Sequence, residues 1–248
     1  MSFKWSHIPG APAAAPDPPP GKKKREDGII ACKGLKKALD RVFKIERPEI
    51  LHLGPLCGDT VVYLAERGAR VHVDEYDPPP PRPPKDPSRP APEAEPARLV
   101  QPADTYDLVL AWDSVDFTPP EALSSLGAEF ARILRPGGWL FLLSQAGRPG
   151  GSRPGMSQEQ YRPPGLYRIL DDECLLPGKA GGRNKQRCWI HPNRDLERGI
   201  APLRIQGTHL LRNQLREYTA MLPVKKNGAS PRGAVGGRET RSRGQAVY

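Results

Sequence analysis

The chain has 248 residues, of which 37% are hydrophobic and only 6% aromatic, with 31 prolines and a formal net charge of +10. No apolar run approaches the roughly 20 residues of a membrane span. The opening MSFKWSHIPGAPAAAPDPPP has no apolar segment of the kind a secretory signal carries, so membrane-spanning and secreted classes are excluded.

The charge is unevenly placed. Residues 1–27 carry +2 and residues 225–248 carry +5, which leaves +3 on 28–224. A strongly basic binding face on the core is therefore not expected. No aromatics are interleaved with the Arg and Lys of the C-terminal segment, so nucleic acid is only weakly supported as a partner. Cys32, Cys57, Cys174 and Cys188 form no CxxC pair and no zinc spacing. They read as free thiols in a reducing, cytoplasmic compartment, and no metal site is expected.

In chain order, residues 1–27 are Pro- and Ala-rich and end in GKKKREDG, a tail too poor in apolar residues to fold alone. A domain follows over 28–224. Ile29, Leu35, Leu39, Val42 and Phe43 recur at helical spacing, and Pro48 stops that helix. EILHLG (49–54) reads as a buried parallel strand, PLCGD as a turn, and TVVYLAERG (60–68) as a short helix closed by Gly68. ARVHVDEYD (69–77) is a second strand ending in acids. Residues 78–96 hold ten prolines and predict a stiff extended insert.

ARLV (97–100) is a candidate short strand, and YDLVLAW (106–112) is a buried one. Thr118-Pro119-Pro120-Glu121 is a capping-box start to a helix reaching about Leu134, with Leu123, Leu126, Phe130, Ile133 and Leu134 on one face. RPGG (135–138) leads into the strand WLFLLS (139–144). Residues 145–165 have no periodicity and read as a loop. LYRIL (166–170) is a candidate strand, 177–187 is Gly- and Arg-rich, and HPNRDLERG (191–199) is a short helix. LRIQGTHLL (203–211) and LREYTAML (215–222) form a hairpin. Residues 225–248 are a basic tail. Alternating strands and helices imply a mostly parallel sheet with helices on both faces.

Three segments resemble class I S-adenosylmethionine-dependent methyltransferases. ILHLGPLCGDTVVYLAERGARVHVDEYD (50–77) is similar to that family's first strand, glycine loop, helix and acidic second strand. YDLVLAWDSVDFTPPEALSSLGAEFARILRPGGWLFLLS (106–144) resembles its fourth strand, helix and LRPGG turn into strand five. IQGTHLLRNQLREYTAML (205–222) resembles its terminal antiparallel hairpin. AWD after strand four and LLRN…EY at the hairpin also resemble a bacterial methyltransferase-like group. The resemblance implies a Rossmann-like α/β fold, a seven-stranded sheet with a C-terminal antiparallel hairpin, and S-adenosyl-L-methionine as cofactor.

An open parallel sheet holds ligands beyond the carboxyl ends of its strands. By the resemblance, Gly54, Pro55 and Gly58 line the cofactor loop, and Asp74 or Glu75 accepts from the ribose hydroxyls. Ala111 and Trp112 border the methionine end, and Asp113 is a candidate base or orienting group for an unidentified acceptor. The loop departs from the family pattern. His52 stands at the usual acidic position, Pro55 removes an N–H, and Leu56 replaces a glycine where backbone approaches the ligand. Two functions follow: a methyltransferase, or a methyltransferase-like scaffold that has lost its cofactor. The lack of GxGxxG and the terminal hairpin argue against an oxidoreductase.

Overall fold

The computed structural model describes residues 28–80, 95–146, 158–179 and 185–224. Both predicted tails and residues 81–94 of the Pro-rich insert lie outside the described residues.

The elements begin with β1 (Ile30–Ala31) and α1 (Lys33–Val42), then β2 (Glu49–Leu53), α2 (Gly58–Ala65) and β3 (Arg70–Asp74). After the Pro-rich insert come β4 (Tyr106–Trp112), the short α3 (Ser114–Phe117), α4 (Leu123–Ile133) and β5 (Leu134–Gln145). Four further strands follow: β6 (Gln158–Arg162), β7 (Gly165–Asp171), β8 (Cys174–Lys179) and β9 (Gln186–Ile190). The chain closes with α5 (Asn193–Gly199), β10 (Arg204–Leu210) and β11 (Leu215–Met221).

The main sheet has the order β10-β11-β5-β4-β2-β3. β3, β2, β4 and β5 are mutually parallel, and β11 is antiparallel to both β5 and β10. The predicted hairpin is therefore present, with β10 pointing the same way as the parallel strands. β4 is buried at all seven positions, as a central strand covered on both faces must be. One apolar cluster lies under α4 and α5 and includes Leu126, Phe130, Leu140 and Leu196. The other lies under α1 and α2 and includes Leu35, Leu39, Leu64 and Phe141. Each large side chain so buried contributes roughly 1.5–3 kcal/mol, and the two layers fix helices on both faces.

The sheet departs from the sequence reading in one respect. Among the described residues it has six strands rather than seven. ARLV (97–100) is not a strand. Its segment is held by α4 instead: Ala97 N–H donates to Ser125 Oγ and Leu99 N–H to Glu129 Oε2, both at 2.8 Å. Arg132 donates to the carbonyls of Leu99 and Gln101, also at 2.8 Å each. Side chains of a neighbouring helix have outcompeted a sheet edge for this backbone.

The stretch after β5 also differs. The expected loop 145–165 contains β6, which pairs antiparallel with β9 in a two-stranded ribbon. β7 and β8 join β1 in a separate three-stranded sheet. The candidate strand LYRIL (166–170) lies within β7, whereas β1, β6, β8 and β9 lack the long alternation that would reveal them in the sequence. Thr60 of α2 anchors this addition, donating from Oγ1 to the Tyr167 carbonyl at 2.9 Å and accepting from Ile169 N–H at 3.0 Å.

Candidate functional site

In an open α/β sheet the crevice forms where chain order reverses, here between β2 and β4. A cleft opens there, with an empty volume of about 390 Å³ including its mouth. Leu53, Gly54 and Pro55 line it from the end of β2, Glu75 and Tyr76 from the end of β3, and Asp113, Ser114 and Phe117 from the end of β4. Pro164, between β6 and β7, and Gln186 of β9 complete it.

Gly54 is required by geometry. Its φ is +152°, and its N–H donates to the Asp74 carbonyl at 2.8 Å. A Cβ there would stand 3.3 Å from Trp112 Cδ1. Leu56, the bulky occupant of the loop, is 61% exposed and does not line the cleft.

The two acids at the end of β3 have different environments. The Asp74 carboxylate accepts from the Glu75 N–H at 2.8 Å and from Gln101 Nε2. Glu75 stands on the cleft, with Tyr76 beside it. The Tyr76 hydroxyl meets Thr118 Oγ1 at 2.9 Å, and burial pushes its pKa up to about 12.

Three residues assigned to the cofactor by resemblance lie elsewhere. Gly58 opens α2 and is exposed, outside the cleft lining. Ala111 and Trp112 are buried beneath the cleft, in opposite core clusters, because alternation along β4 sends them to opposite faces. Trp112 takes a left-handed φ of +43° at the point where β4 slips register against β5. Its ring stacks on Tyr167 with centroids 5.3 Å apart and 16° between planes, and it also meets His52 at 5.4 Å and Phe141 at 6.0 Å.

His52 is buried beside it, with neither ring nitrogen hydrogen-bonded. Burial depresses its pKa to about 4, so the imidazole is neutral near pH 7.

Asp113 is on the cleft wall but is not an unengaged carboxylate. Its Oδ2 accepts from Arg162 Nη1 at 2.5 Å and from Gly165 N–H at 2.9 Å. Arg162 also binds Asp116 at 2.7 Å. Asp116 in turn accepts from Ser144 Oγ at 2.6 Å and Gln145 N–H at 2.9 Å. Burial pushes the Asp116 pKa up to about 6 against the opposing pull of Arg162. The guanidinium lies 4.7 Å from the Phe117 ring centroid. Two carboxylates thus share one cation, and the cluster keeps a net negative character beside the cleft. His191, with its pKa depressed by burial to about 4, reaches the carbonyls of Val115 and Thr118 at 3.1 Å each and pins the same turn.

Sequence reasoning missed Asp116, Arg162, Tyr76, Phe117, Pro164 and Gln186. Asp116 had a signal, since it stands three residues after Asp113 and so falls on the same side of a helical turn. Arg162 had none.

No protein-family model matches the chain, and no curated protein matches it. Solved structures with a similar chain path include S-adenosylmethionine-dependent methyltransferases and a [4+2]-cyclase. One of the methyltransferases is from Methanosarcina mazei, 12% identical, covering 75% of this chain and 98% of that one at a TM-score of 0.47. A second is 1,6-didemethyltoxoflavin-N1-methyltransferase from Burkholderia thailandensis, with bound S-adenosylhomocysteine and 1,6-didemethyltoxoflavin. It is 14% identical, with coverage of 77% and 79% and a TM-score of 0.43. A third, from Mesorhizobium loti, is 13% identical, with coverage of 76% and 100% and a TM-score of 0.42. These are likenesses of chain path.

Among the described residues no helix is long and apolar enough to cross a membrane, and no group of three or more His, Cys, Asp or Glu is placed to hold a metal.

Proposed function

We propose that the protein binds S-adenosylmethionine in the cleft beyond β2, β3 and β4 and transfers its methyl group to an acceptor. The observation that carries this reading is the presence of Glu75 and Gly54 on one cleft while Leu56 turns out to solvent. A carboxylate at this strand end suits the two hydroxyls of a ribose, and a glycine at the first turn lets backbone approach.

The residues present fit the cofactor's parts. Glu75 accepts the ribose hydrogen bonds, and Tyr76 and Phe117 offer ring surface to a purine. The negative Asp113–Asp116–Arg162 cluster complements a cationic ligand. When bound, the cofactor supplies an electrophilic methyl on a sulfonium leaving group. What remains for the chain is to hold the acceptor in line, and orientation of this kind supplies much of the rate. Asp113, fixed by Arg162 and Gly165, serves that step as an orienting group better than as a mobile base. Pro164 and Gln186, on the same cleft wall, support an acceptor side at the added segment. The four free cysteines support a reducing, cytoplasmic setting.

One observation favours the scaffold reading. His52 is neutral and buried where the resembled family carries an acid, so it offers no charge to the cofactor's ammonium. Calorimetric titration of the full chain with S-adenosylmethionine and S-adenosylhomocysteine decides between the two. Saturable heat at one site is expected. No heat and no thermal shift at millimolar ligand would overturn the enzyme reading.

A further inference from the structure

The main sheet ends at β3, and among the described residues no strand pairs with its outer edge. The hydrogen bonds on its inner side show which backbone groups remain. Arg70 N–H donates to the Pro48 carbonyl at 2.9 Å, and the Asp74 carbonyl accepts from Gly54 N–H at 2.8 Å. In a parallel ladder, residues facing the neighbour alternate with residues facing away. Arg70, His72 and Asp74 are therefore committed to β2. Val71 and Val73 turn both N–H and C=O to the open edge. The segment 97–101 does not take these groups: Ala97, Leu99 and Gln101 bind α4, and no backbone hydrogen bond joins this segment to Val71 or Val73. Val73 is 39% exposed, and the side chains of Arg70 and His72 are 66% and 48% exposed.

We propose that this edge pairs, antiparallel, with the same edge of a second copy of the chain, about a two-fold axis at His72. The sequence Arg70-Val71-His72-Val73-Asp74 is its own complement when reversed. Arg70 stands opposite the partner's Asp74, and Asp74 opposite the partner's Arg70. Val71 stands opposite the partner's Val73, and His72 opposite the partner's His72. Charges on an edge strand commonly keep a second edge away. Here their order makes them attract in the antiparallel sense, whereas a parallel pairing would set Arg70 against the partner's Arg70.

The hydrogen-bonding parity selects the same register. With the axis at His72, Val71 and the partner's Val73 are directly opposed, and both carry outward N–H and C=O groups. They exchange two hydrogen bonds, and the symmetric pair exchanges two more. A slip by one residue would oppose outward-facing backbone to inward-facing backbone and lose the ladder. Such an interface is isologous, as closed two-fold dimers require. Glu49 steadies the polar side of the edge, meeting Arg70 Nη1 at 3.2 Å and His72 Nε2 at 2.7 Å. The inference stands apart from the methyltransferase reading, because no cleft residue other than the neighbouring strand end enters it.

The test is sedimentation analysis of the full chain over a range of concentrations, where a reversible dimer is expected. Val73→Pro removes an outward N–H and nothing from the β2 ladder, as proline on an edge strand can. Two interchain hydrogen bonds vanish by symmetry, so association weakens roughly thirtyfold. Arg70→Asp disperses the dimer, and the double variant Arg70→Asp/Asp74→Arg restores it. Circular dichroism confirms that each variant is folded. In His72→Cys the two cysteines face each other with Cα atoms about 4.5 Å apart, so mild oxidation links two chains through residue 72. A monomer at every concentration overturns the proposal, as does a dimer indifferent to Val73→Pro or a His72→Cys protein that never crosslinks. A monomer whose Val71 and Val73 amides resist hydrogen exchange would mean that residues of the same chain cover the edge, and it also overturns the proposal.

Discussion

Arg162 and Asp116 meet at 2.7 Å, 46 residues apart in sequence, with the carboxylate fully buried. The same guanidinium holds Asp113. One arginine thereby ties the added β6–β9 ribbon to the turn that forms the cleft wall. Truncating it as Arg162→Ala strands two buried carboxylates without their cation. A loss of about 3–5 kcal/mol in unfolding free energy is expected from urea denaturation. Arg162→Lys recovers only part of this, since an ammonium lacks the planar fork that reaches both acids. A loss within experimental error for Arg162→Ala would show that the ribbon does not depend on this contact.

Stability should fall on acidification, through competing groups. Asp116, with its pKa raised by burial to about 6, binds its proton more readily in the folded chain, so it adds stability as pH drops from 6 toward 4. His52 and His191 act oppositely. Each is depressed from 6.5 to about 4, so the unfolded chain takes up the proton first. Their contribution is complete above pH 6.5 and lost as pH falls to 4. The two histidines act together with Glu49 and Glu129, lowered by hydrogen bonds to His72 and Arg132, against the raised Asp116 and Glu217. His52→Leu should flatten the pH slope of unfolding free energy by one proton, about 1.4 kcal/mol per pH unit between 6.5 and 4. An unchanged slope would place the His52 proton uptake equally in both states.

At the cofactor cleft, Glu75 and Asp74 should separate. Glu75→Gln removes the charged acceptor on the cleft and should weaken S-adenosylhomocysteine binding roughly 10- to 100-fold. Asp74→Asn should cost less, because Asp74 does not line the cleft. Titration calorimetry on both variants measures the order, and the reverse order would move the ribose to Asp74.

Substitutions in the glycine loop should divide by exposure rather than by residue size. Leu56→Gly removes a solvent-facing side chain and should leave S-adenosylhomocysteine affinity within about twofold. Gly54→Ala places a Cβ against Trp112 in a positive-φ backbone and should cost about 1–3 kcal/mol in stability. Thermal unfolding with and without ligand tests both.

Glu217 of β11 accepts from the Gly34 N–H at 2.9 Å in the first turn of α1, a cap delivered from 183 residues away. α1 has no side-chain cap of its own. Glu217→Ala should therefore destabilise by about 0.5–2 kcal/mol. Glu217→Gln keeps an acceptor and should cost less, read from the same denaturation curves.

Gly34 illustrates what the sequence could and could not carry. It interrupts an otherwise regular helical pattern, and the pattern alone gives no reason for it. In the fold a Cβ at this position would stand 3.1 Å from Glu217 Cδ, so glycine lets the side chains of β11 approach closely there. Elsewhere the periodicity sufficed. YDLVLAW, the amphipathic run after Pro120 and the terminal hairpin each formed as their patterns implied, because each buries a face fixed by its own residues. Residues 97–100, a weaker strand candidate, were captured by Ser125, Glu129 and Arg132, a competition no local pattern records. The cleft was partly legible for the same reason. Gly54, Glu75 and Asp113 stand at strand ends that the pattern locates, whereas Arg162 comes from a segment with no pattern.

Hydrophobic periodicity and the acids closing β3 set, from sequence alone, most strands and helices of the main sheet, how its parallel strands run and which end carries polar groups. These are short-range matters, fixed by each segment's need to bury one face. The folded chain alone decided that Asp74 is engaged and Glu75 faces the cleft, that Trp112 packs beneath it and that Asp113 is held by a distant arginine. Among the described residues it also paired no strand with the outer side of Val71 and Val73. Each of these depends on which distant group arrives first at a given donor or acceptor, and only tertiary packing settles that.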